Sequence, residues 1–105
     1  MQVLFKAEKD VLTVYLSGDI DHHTSKNIRE SIDSEMQKMM PSVLKLDFRD
    51  VHFMDSSGVG LVMGRYKNAV IYGCRVVVSH ISSNAEKIMK MSGIEKLAKV
   101  SKKGE

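Results

Sequence analysis

Apolar residues along this chain recur with two alternating periods, and that alternation limits the fold more than any other feature. In residues 3–7 and 11–17 every second position is apolar, placing Val3, Phe5 and Ala7 on one side of the first run and Leu12, Val14 and Leu16 on one side of the second, as half-buried strands require. The turn-prone Glu8-Lys9-Asp10 between them makes a β-hairpin the simplest reading. Gly18 is expected to end the second strand, with a loop starting at Asp19.

From Thr24 or Ser25 the spacing becomes helical: Ile28, Ile32, Met36, Met39 and Met40 recur every three to four residues until Pro41 closes the segment. The three methionines read as core filler. Residues 43–48 return to strand spacing with Leu44, Leu46 and Phe48 on one face, and residues 57–72 are helical again. The run Cys74-Arg75-Val76-Val77-Val78 suits a central strand buried on both faces. Ser82 or Ser83 can cap a third helix carrying Ala85, Ile88 and Met89, with Gly93 as its stop, and residues 97–100 suit an edge strand. The order ββαβαβαβ predicts an α/β fold: a mixed sheet with an antiparallel opening hairpin, parallel strands joined by right-handed crossovers, and helices packed on it.

At 105 residues there is room for a single domain, with a basic tail expected at about 101–105. Charges interrupt every hydrophobic run short of a membrane span, and Lys6, Glu8 and Lys9 break any signal-peptide core. The lone Cys74 excludes an internal disulfide, so a reducing cytoplasm is the expected compartment. Residues 1–85 carry ten Lys/Arg and ten Asp/Glu, so the net charge of +3 belongs to the last 20 residues. A basic end without arginine or aromatic residues reads as a solvated tail, and no nucleic-acid partner is expected.

In open α/β sheets, functional loops cluster where strands end and helices begin. Two such segments are dense in polar groups: Gly18-Asp19-Ile20-Asp21-His22-His23-Thr24 and Phe53-Met54-Asp55-Ser56-Ser57-Gly58. In the second, Asp55 or Ser56 can serve as N-cap of the following helix. A phosphate on Ser56 or Ser57 would sit at the positive end of the helix dipole, beside unpaired N–H groups, and would add about −1.5 to −2 charges. The helix itself carries Gly58, Gly60 and Gly64, each costing about 1 kcal/mol relative to alanine in a helix interior. Gly60 and Gly64 line one stripe that permits close approach, either to the protein's own sheet or to a partner. Val59, Val62, Met63, Tyr66 and Val70 form the expected core face.

Other chemistries lack their residues. The glycines miss the GxGxxG spacing, and Arg65-Tyr66 stands where a Walker loop needs Lys-Ser/Thr. His22, His23, His52 and His80 have no zinc spacing. A nucleophile elbow needs Gly two residues before its serine, where this chain has Asp55 before Ser57 and Met54 before Ser56. No catalytic residue, metal or cofactor is therefore expected.

These two loop segments, with Gly64-Arg65-Tyr66-Lys67 and Met91-Ser92-Gly93-Ile94, resemble the STAS-domain anti-sigma factor antagonists, nearest to the sporulation branch that serves sigma-F, with a general-stress antagonist as the alternative and a small nucleotide-binding protein a more distant one. The match runs in order along nearly the whole chain. The resemblance implies a cytoplasmic, non-enzymatic switch, monomeric when free. Its unphosphorylated form binds an anti-sigma factor serine kinase, carrying ADP or ATP, and frees the sigma factor. The kinase phosphorylates the second serine of Asp-Ser-Ser-Gly, by position Ser57, and a PP2C-type phosphatase restores it. The expected partner surface comprises Asp19, Asp21, His22, Asp55, Ser56, Ser57, Gly58, Gly60, Leu61 and Gly64, with the acids facing basic groups and Gly60, Leu61 and Gly64 forming a flat stripe. The family's final amphipathic helix has no counterpart in Ser101-Lys102-Lys103-Gly104-Glu105.

Overall fold

The computed structural model describes residues 2–102. Strands β1 (Gln2–Glu8) and β2 (Val11–Ile20) form the hairpin, followed by α1 (Ser25–Met39), β3 (Val43–Met54), α2 (Ser57–Tyr72), β4 (Arg75–Ile81), α3 (Ser83–Ser92), a 3-10 turn (Ile94–Lys96) and β5 (Lys99–Lys102). The five strands lie in sheet order β1-β2-β3-β4-β5. The first pair is antiparallel and the other three are parallel. The expected α/β architecture and element order are therefore present. No helix among the described residues is long and apolar enough to cross a membrane.

Strand order follows chain order without reversal, so right-handed crossovers place all three helices on one face of the sheet. Burial agrees. Leu12, Val14, Leu16, Leu44, Leu46, Phe48, Val76 and Val78 form a single core with Ile28, Ile32 and Met36 of α1, Leu61, Val62 and Ala69 of α2, and Ala85 and Met89 of α3. Alternate residues on the other face, including Thr13, Tyr15, Lys45 and Val77, stay half-buried or exposed. That corrects the reading of β4 as buried on both faces: its valines alternate between core and open face because no crossover reaches the far side.

Several boundaries move for local reasons. Strand β2 continues through Ile20 because Gly18 absorbs a bulge, with φ +100° and register shifts on either side. Strand β3 runs past Phe48 to Met54, pairing with β2 after its pairing with β4 has ended at Asp47 and Ser79. The two strands thus project as a ribbon. At the chain's other end, residues 94–96 coil into the 3-10 turn and leave Leu97 exposed, so β5 starts at Lys99 and takes Ser101 and Lys102 out of the expected tail. Residues 103–105 of that tail lie outside the described residues.

Among the methionines of the first helical segment, Met36 is buried and Met39 packs against the core, but Met40 turns out at 51% exposure. Its left-handed φ of +50° ends the helix one residue before Pro41. Ser82 caps α3 by accepting from the Ala85 N–H, and Gly93 closes it at φ +77°, as expected.

Candidate functional site

The projecting β2–β3 ribbon brings the two polar loop segments together. Asp19 pairs with Phe53 and Ile20 with Met54, and the Asp55 N–H donates to the Ile20 carbonyl at 3.2 Å. Helices α1 and α2 start within a few residues of this junction, so their N-termini share one end of the molecule.

Each loop is held by one aspartate. The Asp21 carboxylate accepts from the N–H groups of His23 at 2.9 Å and Thr24 at 3.0 Å. Thr24 Oγ1 accepts in return from the Asp21 N–H and donates to the Asp19 carbonyl. The Thr24 N–H bond, seconded by that of His23, holds the Asp21 carboxyl below its ordinary value against a smaller opposing effect of desolvation. Asp21 therefore orders its own turn, leaving Asp19 as the more exposed acid of this loop. His22 is exposed beside it, its ring 3.9 Å from that of His23.

At α2, Asp55 rather than Ser56 does the capping. Asp55 Oδ1 accepts from the Ser57 N–H at 2.8 Å, whereas Ser56 has helical φ and ψ and no side-chain cap bond. The Gly58 and Val59 N–H groups donate to the carbonyls of Asp55 and Ser56. This corrects the expectation of unpaired N–H groups for a phosphate: the first-turn donors at Ser57, Gly58 and Val59 are taken, and the nearest acceptor is itself anionic. Ser57 is the first residue of the helix and half-buried, and Ser56 is exposed.

The glycines divide by environment. A Cβ on Gly58 would overlap Met54 Sδ, so Gly58 is a buried contact between helix and strand and not part of the exposed surface expected of it. A Cβ on Gly60 or Gly64 would meet nothing within 4 Å, so their stripe looks outward and not onto the protein's own sheet. Leu61 is 3% exposed in the core and leaves the expected contact stripe, because it follows Gly60 by about 100° around the helix. Val70, expected in the core, is 59% exposed.

Two features escaped the sequence reading. Phe53 is 54% exposed beside a cleft of about 290 Å³ lined by Phe48, Val51, His52, Met54, Ser82 and Ala85. Adjacent apolar residues in a strand point to opposite faces, so with Met54 buried Phe53 must emerge; the Phe-Met pair was the available signal. Arg65 is 3% exposed, and its Nε lies 2.8 Å from Asp33 Oδ1 on α1, which also accepts from Asn68 at 3.0 Å. A charged residue at core spacing between Val62 and Ala69 was the clue there.

The chain matches the STAS domain family model over residues 2–104. It is 34% identical over 97 residues to an anti-sigma F factor antagonist of Paenibacillus polymyxa, covering 92% of this chain and 83% of the relative. Its fold is similar to that of the anti-sigma factor antagonist SpoIIAA in its unphosphorylated form, with a TM-score of 0.81 and 26% identity over 94% of this chain and 87% of the other. The phosphorylated form of SpoIIAA, a Bacillus cell fate determinant, aligns with a TM-score of 0.74 at 26% identity, covering 94% and 90%. A family match spanning almost every residue, on the expected sheet and with both polar loops at one end, means that the chain belongs to the STAS-domain anti-sigma factor antagonists.

Proposed function

We propose that the unphosphorylated chain binds an anti-sigma factor that is also a serine kinase, releasing a sigma factor of the sporulation class, and that phosphorylation of Ser57 ends this binding. The observation that carries the reading is the position of Ser57: first residue of α2, half-buried, with its N–H already held by the Asp55 carboxylate. The neutral hydroxyl can be covered by a partner at modest cost. Transfer of the ATP γ-phosphoryl to Ser57 Oγ, with release of ADP and the hydroxyl proton, would put about two negative charges beside Asp55. Like charges in a closing interface must then be desolvated together, and the complex is lost. A PP2C-type phosphatase reverses the step by hydrolysis to serine and inorganic phosphate.

Around Ser57, the partner surface is assigned to Asp19, His22, Asp55, Ser56, Gly60 and Gly64. The exposed acid and the open glycine stripe suit a partner that brings basic side chains and a close backbone. Asp21 contributes by shaping the loop. The chain acts as a monomer in the cytoplasm, as a regulator without catalysis of its own. Incubation with the anti-sigma kinase and ATP, followed by mass spectrometry, should place one phosphoryl group on Ser57 and none on the Ser57→Ala variant; equal modification of that variant would overturn the assignment.

A further inference from the structure

Parallel strands are normally covered by helices on both faces, and this sheet is covered on one. The bare face has an ordered charge pattern. Register places Lys6, Thr13, Lys45, Val77 and Lys99 side by side in one row across all five strands. The three lysines thus occupy alternate strands, about 10 Å apart at the usual strand spacing. Flanking rows run Glu8, Val11, Val43, Arg75 on one side and Leu4, Tyr15, Asp47, Ser79 on the other.

Cations dominate this face once its ion pairs are subtracted. Lys6 is paired with Glu8 at 3.3 Å, and Asp47 is buried beneath the Arg49 N–H and His80. Lys45, Arg75 and Lys99 have no ion-pair partner among the described residues. Apolar surface lies beside Lys45 on β1 and β2: Leu4 is 54% and Tyr15 39% exposed, and Val11, Thr13 and Tyr15 line a shallow depression of about 330 Å³ with Lys6, Lys9, Lys45 and the Lys6-paired Glu8.

We infer that the open sheet face is a second docking surface, separate from the Ser57 site, for an acidic amphipathic helix of a partner protein. A helix laid across the strands with carboxylates at every seventh position repeats them about 10.5 Å apart, close to the lysine interval. Its apolar residues then meet Val11, Thr13, Tyr15 and Val77. A single-stranded nucleic acid fits less well, because it needs rings for successive bases and a continuous cationic track. This face offers one exposed ring, Tyr15, and lysines on every other strand.

The probe is a fluorescein-labelled synthetic helix of roughly 18 residues with glutamate at every seventh position and leucine on the same face, compared by anisotropy at low salt with a scrambled peptide and a uridine oligonucleotide of equal length. The helix should bind the wild-type chain and its Ser57→Asp variant alike, and bind Lys45→Glu/Lys99→Glu roughly tenfold more weakly or worse. Lys45→Gln/Lys99→Gln should fall between and serves if the reversed pair does not fold. Absence of binding, equal affinity for the charge variants, equal affinity of the scrambled peptide, or tighter binding of the oligonucleotide would each overturn the inference.

Discussion

Asp21 and Asp55 do comparable work one strand apart: each carboxylate accepts from backbone N–H groups in the turn that starts a helix. For Asp21 this has a pH consequence. Its carboxyl is held below the ordinary value near 3.8, so it contributes stability that is present above that value and lost as pH falls through the lower folded-state value. Thermal melts of wild type and Asp21→Asn should therefore differ at pH 5 and converge as pH drops below about 3.8; a gap that stays constant would contradict this role. Gly64 gives a second test at the same scale. Because a Cβ there meets nothing, Gly64→Ala should raise stability by about 0.5–1 kcal/mol through helix propensity. Gly64→Leu should fold as well yet weaken kinase binding, a split that urea melts and calorimetry can read separately. Asp55 and Ser56 were both visible in the sequence as caps, but the choice between them depended on backbone angles, which the sequence does not carry.

Between elements, the Arg65 guanidinium ties α2 to α1 through Asp33, linking the helices that follow the two loops of the site. Burial lowers the Arg65 pKa from its ordinary value while Asp33 opposes that shift, so the pair depends on its geometry. Asp33→Ala should cost about 3 kcal/mol by leaving a buried cation without its anion. Chemical denaturation checks this, and a loss below about 0.5 kcal/mol would show that solvent or Asn68 compensates. The elements themselves were largely legible, because Leu12, Val14 and Leu16, Ile28, Ile32 and Met36, and Leu44, Leu46 and Phe48 keep their periods cleanly. What the periods could not give was length. The extensions of β2 to Ile20 and β3 to Met54 rest on a glycine bulge and on mutual pairing, which are properties of two strands together. Likewise Leu61 and Val70 exchanged their expected environments because a glycine-rich helix has few apolar positions to fix its rotation.

At the scale of the whole molecule the charge is organised by face. The loop end carries Asp19, Asp21 and Asp55, while the open sheet face carries Lys45, Arg75 and Lys99. The sequence alone places the excess of +3 in a solvated tail, but Lys99 and Lys102 of that end belong to β5. That one sheet face is bare follows from strand order, which adjacent crossovers make possible and no single segment encodes. Phosphorylation of Ser57 would lower the net charge to about +1 to +1.5, all of it at the acidic end. Isothermal titration of the anti-sigma kinase with the unphosphorylated chain and with the chain phosphorylated on Ser57 tests that switch. Tight binding by the first, with at least a hundredfold loss, about 2.7 kcal/mol, in the second, is expected; equal affinity of the two forms would contradict the role given to Ser57.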